Sequence, residues 1–257
     1  MLVEAKSISK EFNGVEIIGD FSIEVMRGEF LSILGESGCG KTTLLKILSG
    51  ILKPDKGNVI RKFSKQGFVF QDDRLIPWKD AFYNVKIVSD EKRAKISLEK
   101  VGMAEHSRKR PAQLSGGMIK RVCLARALAL DPEIIFLDEP FSSLDIVTRM
   151  KLLDMLRKIW MESSCTAVMV THDPFEAAFL STRVIVTGNK FKHFHIIKSG
   201  SPLNRSLSEV LSLQNELIGL LEDTVSGGRK RTWEHFQRRE GNQKRDKTTG
   251  NEDRNSR

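Results

Sequence analysis

Short apolar runs separated by turn residues open the chain. Residues 2–9 (LVEAKSIS), 21–25 (FSIEV) and 29–34 (EFLSIL) read as strands, with Asn13-Gly14 and Arg27-Gly28 as turns between or near them. Strands this closely spaced predict an antiparallel flap ahead of the first strand–loop–helix unit. The period then changes. Leu44, Leu48 and Ile51, with Leu45 and Leu52, recur at helical spacing, so residues 44–52 predict a helix with one buried face that ends at Lys53-Pro54-Asp55-Lys56-Gly57. Residues 67–70 (GFVF) read as a short strand stopping at Gln71, and 71–78 (QDDRLIPW) as a loop. Residues 80–113 read as short charged helical pieces with Val85, Ile87, Ile96, Leu98 and Val101 as apolar positions. That stretch is too polar for core sheet, which predicts an inserted helical subdomain over about residues 72–130.

Beyond a small-residue turn at 114–117, Met118, Val122, Ala125 and Ala129 mark one face of a second long helix. Residues 133–137 (EIIFL) form a continuous apolar run of the kind a buried parallel strand needs, ending in Asp138-Glu139-Pro140. A helix at 147–160 leads to a strand at 166–171 (TAVMVT), followed by His172-Asp173-Pro174. Then come a helix at 176–180, strands at 184–187 and 195–197, and a helix at 207–221 with a wide apolar face. Residues 222–257 lose this periodicity and predict a basic, disordered tail after a domain of residues 1–221. There is no internal repeat.

The densest candidate chemistry lies between the strand at 29–34 and the helix at 44–52. Gly35, Glu36, Ser37, Gly38, Cys39, Gly40, Lys41, Thr42 and Thr43 fit the spacing G-x-x-x-x-G-K-[ST] of a phosphate-binding loop. Glycines let the backbone wrap a polyphosphate with N–H groups turned inward, and the helix that follows adds its positive end to the same anion. Lys41 is expected on the β- and γ-phosphates and the Thr42 hydroxyl on Mg²⁺. A carboxylate pair, Asp138-Glu139, at the end of a buried strand stands where an open α/β sheet places its chemistry. Phe12, just before the Asn-Gly turn, is a candidate face for a purine ring. These features predict an α/β fold: a P-loop NTPase core with a mostly parallel sheet, an N-terminal antiparallel β flap and a helical insert.

Composition narrows the class. The chain carries 42 Lys+Arg against 33 Asp+Glu, a formal net charge of +9, which suits an anionic partner such as a nucleotide, nucleic acid or an acidic membrane surface. Ten Lys/Arg against seven Asp/Glu fall in residues 222–257, with clusters at Arg229-Lys230-Arg231 and Lys244-Arg245, so about a third of the excess lies in the tail. Cys39, Cys123 and Cys165 have neither the number nor the spacing for a disulfide framework or a zinc site, and a reducing cytosol is the simpler home. No stretch is apolar enough to span a membrane, so work at a membrane requires a partner.

Five elements in this order resemble the ATP-hydrolysing subunits of ABC transporters across about residues 1–200. They are the phosphate loop at 35–43, Gln71 after its strand, the signature LSGGM at 114–118, Asp138-Glu139 followed by SSLD at 142–145, and His172. The resemblance implies MgATP as substrate and a two-fold pair with a second ATPase subunit, an identical chain. Each nucleotide would lie between the loop of one chain and Ser115, Gly116 and Gly117 of the other. It implies that Thr42, Gln71 and Asp138 hold Mg²⁺ and that Glu139 acts as general base or orients the attacking water. His172 would link the γ-phosphate to Glu139 and to Asp145 of the partner subunit. The insert would dock a transmembrane permease subunit and, through it, serve a solute-binding protein at the cytoplasmic face of the membrane. The stretch FVFQDDRLIPWKDAFYNV and LSGGM resemble the branch importing nitrate, sulfonate, taurine and related small solutes. The alternative is a soluble ABC-type ATPase acting on nucleic acid or ribosomes, for which the expected coiled-coil insert or second cassette is absent. Two features depart from the pattern: the interval from Gln71 to Ser115 is short for the insert, and Ile119-Lys120-Arg121 replaces the usual Arg-Gln-Arg.

Overall fold

A computed structural model describes residues 1–163, 165–191, 194–202 and 205–225. The chain opens with β1 (Val3–Phe12) and β2 (Val15–Val25), an antiparallel hairpin. Asn13 and Gly14 turn it with φ of 50° and 78°, the two left-handed residues that a tight hairpin turn matched to strand twist requires. Next come β3 (Phe30–Gly35), α1 (Lys41–Ser49), β4 (Lys56–Arg61) and β5 (Gln66–Val69). The stretch up to β6 (Ile134–Asp138) is helical, with α2 (Ala81–Lys86), α3 (Glu91–Lys100) and α4 (Gly116–Leu128). It is followed by α5 (Ile146–Glu162), β7 (Thr166–Thr171), α6 (Pro174–Leu180), β8 (Arg183–Thr187), β9 (Phe194–Lys198) and α7 (Leu207–Val225).

The strands form two sheets. The flap is a three-stranded sheet in the order β2-β1-β4, and the core is six-stranded in the order β5-β6-β7-β3-β8-β9, parallel except for the antiparallel pair β8–β9. Core strands are apolar on both faces because both are covered. Along β6, Ile134 and Phe136 pack with α1 and the flap, while Ile135 and Leu137 pack with α4 and α5. Along β7, Val168 and Val170 face the first side and Ala167 and Met169 the second. This two-residue alternation, hidden in an unbroken apolar run, places the sheet between two layers.

Four details differ from the sequence expectation. The segment 56–61, of which the sequence reading puts residues 56 and 57 in a turn and gives 58–61 no element, is the third flap strand: it has just Val59 and Ile60 as apolar residues, and its order comes from pairing with β1. Helix α1 stops at Ser49, where Gly50 takes a left-handed C-cap with φ 85°, so Ile51 lies outside the helix and is 51% exposed. Within the insert, Val85, Leu98 and Val101 are buried as expected, but Ile87 and Ile96 face solvent. Helix α7 continues past 221 to Val225; Thr224 is buried, and its hydroxyl donates to the carbonyl of Leu221. The basic clusters at 229–231 and 244–245 lie outside the described residues.

Candidate functional site

Neighbouring parallel strands bring the candidate residues to one edge. In the order β5-β6-β7-β3, the C-terminal ends lead into Gln71, Asp138-Glu139, His172 and the loop beginning at Gly35. The register pairs Val69 with Leu137, Asp138 with Val170, and Leu34 with Thr171, so all four ends stop at nearly one level. Adjacent strands lie about 4.8 Å apart, which makes this edge the size of a single small ligand's polar end.

The loop after β3 needs glycine at its last position. Gly40 has φ 103°, and a Cβ there would lie 2.9 Å from Cγ2 of Ile17, so β2 of the flap closes directly onto the loop. That contact sets the exposed Phe12 ring on the same hairpin that touches the loop. Glu36, Ser37 and Gly38 are exposed, Cys39 is buried, and Thr43 is half-buried in the first turn of α1. Burial pushes the Cys39 thiol upward, against the opposing pull of Lys41, so it is not an activated thiolate. Lys41 is 4% exposed, and its ammonium donates to the carbonyls of Gly35 and Glu36, each at 2.8 Å. The loop therefore curls around a fixed positive charge.

Thr42 Oγ1 donates to Oδ1 of Asp138 at 2.7 Å, joining the first turn of α1 to the end of β6. Burial raises the Asp138 carboxyl, and the Thr42 hydroxyl opposes that shift. Glu139 adopts φ 43°, a left-handed conformation uncommon for this residue type and of the sort concentrated at functional sites. Its backbone is held there: its N–H donates to the carbonyl of Val170, and its own carbonyl accepts from the N–H and hydroxyl of Ser142. His172 Nδ1 lies 3.3 Å from Oε2 of Glu139. The imidazole is half exposed, so it faces Glu139 on one side and solvent on the other.

Ser115 and Gly116 are exposed at the start of α4, and the Ser115 hydroxyl accepts from the N–H of Met118 at 3.4 Å. Gly117 is buried against α5, where an added Cβ would lie 2.4 Å from Cγ2 of Thr148. Asp145 caps α5 by accepting from the N–H of Thr148. Among the described residues, no hydrogen bond or ion pair joins this turn to the loop at 35–43, and the side chain of Gln71 bonds neither Thr42 nor Asp138. Within one chain the phosphate-loop motif and the Ser115-Gly116 turn thus do not meet.

A family model described as "ABC transporter" matches residues 18–142. The aliphatic sulfonates import ATP-binding protein of Zymomonas mobilis is 38% identical over 193 residues, 71% of this chain and 80% of the relative. The nitrate import ATP-binding protein of Synechococcus elongatus is 42% identical over 190 residues, 67% of this chain and 69% of the relative. The chain belongs to the ABC transporter ATP-binding family. It is an ATPase. Among solved structures, a dimeric ATP-binding cassette in a post-hydrolysis state bound to ADP and Pi matches with a TM-score of 0.67 and 31% identity, over 77% of this chain and 99% of that one. A further relative, an uncharacterised ABC transporter ATP-binding protein of Methanocaldococcus jannaschii, is 38% identical over 236 residues, 84% of this chain.

The oxygen donors available here suit Mg²⁺: the Asp138 carboxylate, the Thr42 hydroxyl bonded to it and the amide of Gln71 at the neighbouring strand end, with the rest from phosphate and water. Among the described residues no group of three or more His, Cys, Asp or Glu could hold a metal ion.

Sequence reasoning missed the layer behind these residues. The Thr171 hydroxyl donates to Oε2 of the buried Glu176 at 2.5 Å and accepts from the N–H of Asp173. Asp173 in turn pairs with Arg149 of α5 at 2.8 Å. The available signal was only a glutamate five residues past the strand-end Thr171; its burial is seen in the structure alone.

Proposed function

We propose that this ABC ATPase is the energy-coupling subunit of a membrane importer for a small anion of the sulfonate or nitrate class, working as a pair of identical chains at the cytoplasmic face of the membrane. The observation that carries this reading is the separation of the phosphate loop from the exposed Ser115-Gly116 turn. A nucleotide held only by the loop leaves its γ-phosphate open on one side, and the N–H groups at the start of α4 form a second cradle for a nucleotide on another copy. The cited solved cassette is described as dimeric.

Within one site, Lys41 and the N–H groups of residues 36–43 hold the β- and γ-phosphates, and Phe12 offers a face to the base. Thr42, Gln71 and Asp138 would hold Mg²⁺, which would supply positive charge against the phosphates. Glu139 takes up the proton of the attacking water, and His172 fixes Glu139 while reaching toward the γ-phosphate. Phosphoryl transfer needs positioning more than covalent help, which suits a site made of fixed backbone and a few acids. Asp145 completes the contact from the partner subunit.

The permease would dock on the insert. Trp78, Ile87 and Ile96 are 69%, 55% and 41% exposed there, apolar surface with no cover in the isolated chain. Sulfonate and nitrate appear in the names of the relatives, and the anion class for this importer follows from that likeness. No relative reported above is named for a role on nucleic acid or ribosomes, the alternative expectation.

The test is affinity purification of the tagged chain from its own membranes, followed by uptake of labelled taurine, an alkanesulfonate and nitrate in cells lacking its gene. The expected outcome is a co-purified multi-span permease and loss of uptake of one of these anions. Recovery without any membrane protein, with ATP turnover stimulated by DNA or RNA in a salt-sensitive way, would overturn the reading.

A further inference from the structure

We propose that Lys120, the residue that departs from the family pattern, is a positioning residue that fastens the Gln71 loop to the helix bearing the signature turn. The Lys120 side chain is 8% exposed. Its ammonium donates to the carbonyl of Gln71 at 3.0 Å and pairs with Oδ1 of Asp73 at 2.9 Å. A nearly buried ammonium is costly unless hydrogen-bonded and paired, and both conditions are met by the same short loop.

Two further α4 side chains grip that loop. Cys123 Sγ lies 3.2 Å from the carbonyl of Asp73, and Arg126 donates to the carbonyls of Asp73 at 2.9 Å and Arg74 at 2.8 Å. Arg74 itself sits at φ 47° with its guanidinium over the Phe70 ring, so the loop is bent into a conformation that its own sequence does not favour. Of the three gripping residues, Lys120 is the one bonded to Gln71 and the one nearest the signature. It lies about 7.5 Å along the helix from Ser115.

This inference rests on the roles proposed above for Gln71 and Ser115. Gln71 reports on the nucleotide held by its own chain, while Ser115 meets the nucleotide held by the other chain. A rigid tie between them makes occupancy of one site set the position of the cradle offered to the second, which is a physical route for cooperativity between sites. An amide at position 120, shorter and uncharged, cannot form the ion pair with Asp73.

The experiment is a double-mutant cycle of Lys120→Met and Asp73→Ala. Methionine keeps an apolar stem where Lys120 lines a small cavity with Val69, Leu124, Leu137 and Phe141, so Lys120→Met is expected to keep the wild-type melting temperature, whereas Asp73→Ala leaves the Lys120 ammonium with the Gln71 carbonyl alone and is expected to lower it. Two readouts are used: amide hydrogen exchange of residues 71–75 in nucleotide-free protein, and the Hill coefficient of turnover against ATP concentration. Either substitution is expected to speed exchange in 71–75 by about tenfold and drop the Hill coefficient toward 1, with β6 unchanged in Lys120→Met and the double variant no worse than Lys120→Met. Wild-type exchange and cooperativity in both variants, or additive effects in the double, would overturn the tie. Wild-type protein that turns over ATP without cooperativity would instead remove the two-site reading, and the proposed link with it.

Discussion

Glu139 and His172 illustrate how a few side chains can be placed by backbone alone. The acid sits in a left-handed turn that Val170 and Ser142 hold, and the imidazole reaches it from the adjacent strand end at 3.3 Å. Replacing Glu139 with Gln keeps the shape and removes the proposed base; turnover is expected to fall by at least about 100-fold while ATP binding persists, measured by single-turnover hydrolysis beside equilibrium binding. Behind them, burial lifts the Glu176 carboxyl to about 7, with the Thr171 hydroxyl pulling the other way. Between its ordinary value near 4.5 and about 7, the folded chain holds a proton there that the unfolded chain has released. Stability from this group is therefore present below pH 4.5 and lost as pH rises through 7, on the order of 3 kcal/mol at most. Glu176→Gln is expected to flatten that fall in pH-dependent denaturant titrations; an unchanged slope would show that another group titrates. Residues bonded to the nucleotide's expected position were legible in the sequence because their spacing is dictated by phosphate chemistry. Arg149 and the partners of Lys120 were not, since their roles depend on contacts between segments 24 or more residues apart in the chain, and Glu176, though only five residues from Thr171, reads in the sequence as an ordinary helix residue whose burial only the structure shows.

At the scale of elements, the turn at the start of α4 is set by its contact with α5. Gly117 leaves no room for a side chain beside Thr148, whose branched Cβ is stiff and whose hydroxyl bonds the capping Asp145. Gly117→Ala is expected to displace the signature turn and lower turnover by about 10- to 100-fold, whereas Gly117→Ala with Thr148→Ser, which loses the methyl but keeps the hydroxyl, is expected to recover most of it. Failure of the serine to rescue would place the defect in the turn's backbone. The apolar runs of β3, β6 and β7 could be read directly as buried strands, because both faces of each are covered. Strand β4 could not, since its order comes from β1 rather than from its own alternation. The end of α1 was legible in Gly50, but the apolar repeat through Ile51 and Leu52 masked it; Arg61, donating to the carbonyls of Ile47 and Leu48, finishes that helix from a distance.

For the whole molecule, the central claim is that ATP joins two copies. The exposed signature turn lies on α4, and α5 begins with Asp145, Ile146 and Val147, of which the last two are 76% and 63% exposed, an apolar edge suited to burial against a second chain. Among the described residues no helix is long and apolar enough to cross a membrane. The most direct measurement is the mass in solution of the Glu139→Gln form, by light scattering with and without MgATP. The 29.1 kDa chain is expected to double in mass when ATP is added and to return to the monomer when Ser115→Arg is introduced as well. A chain that binds ATP yet stays at the monomer mass, or a dimer indifferent to Ser115→Arg, would contradict it.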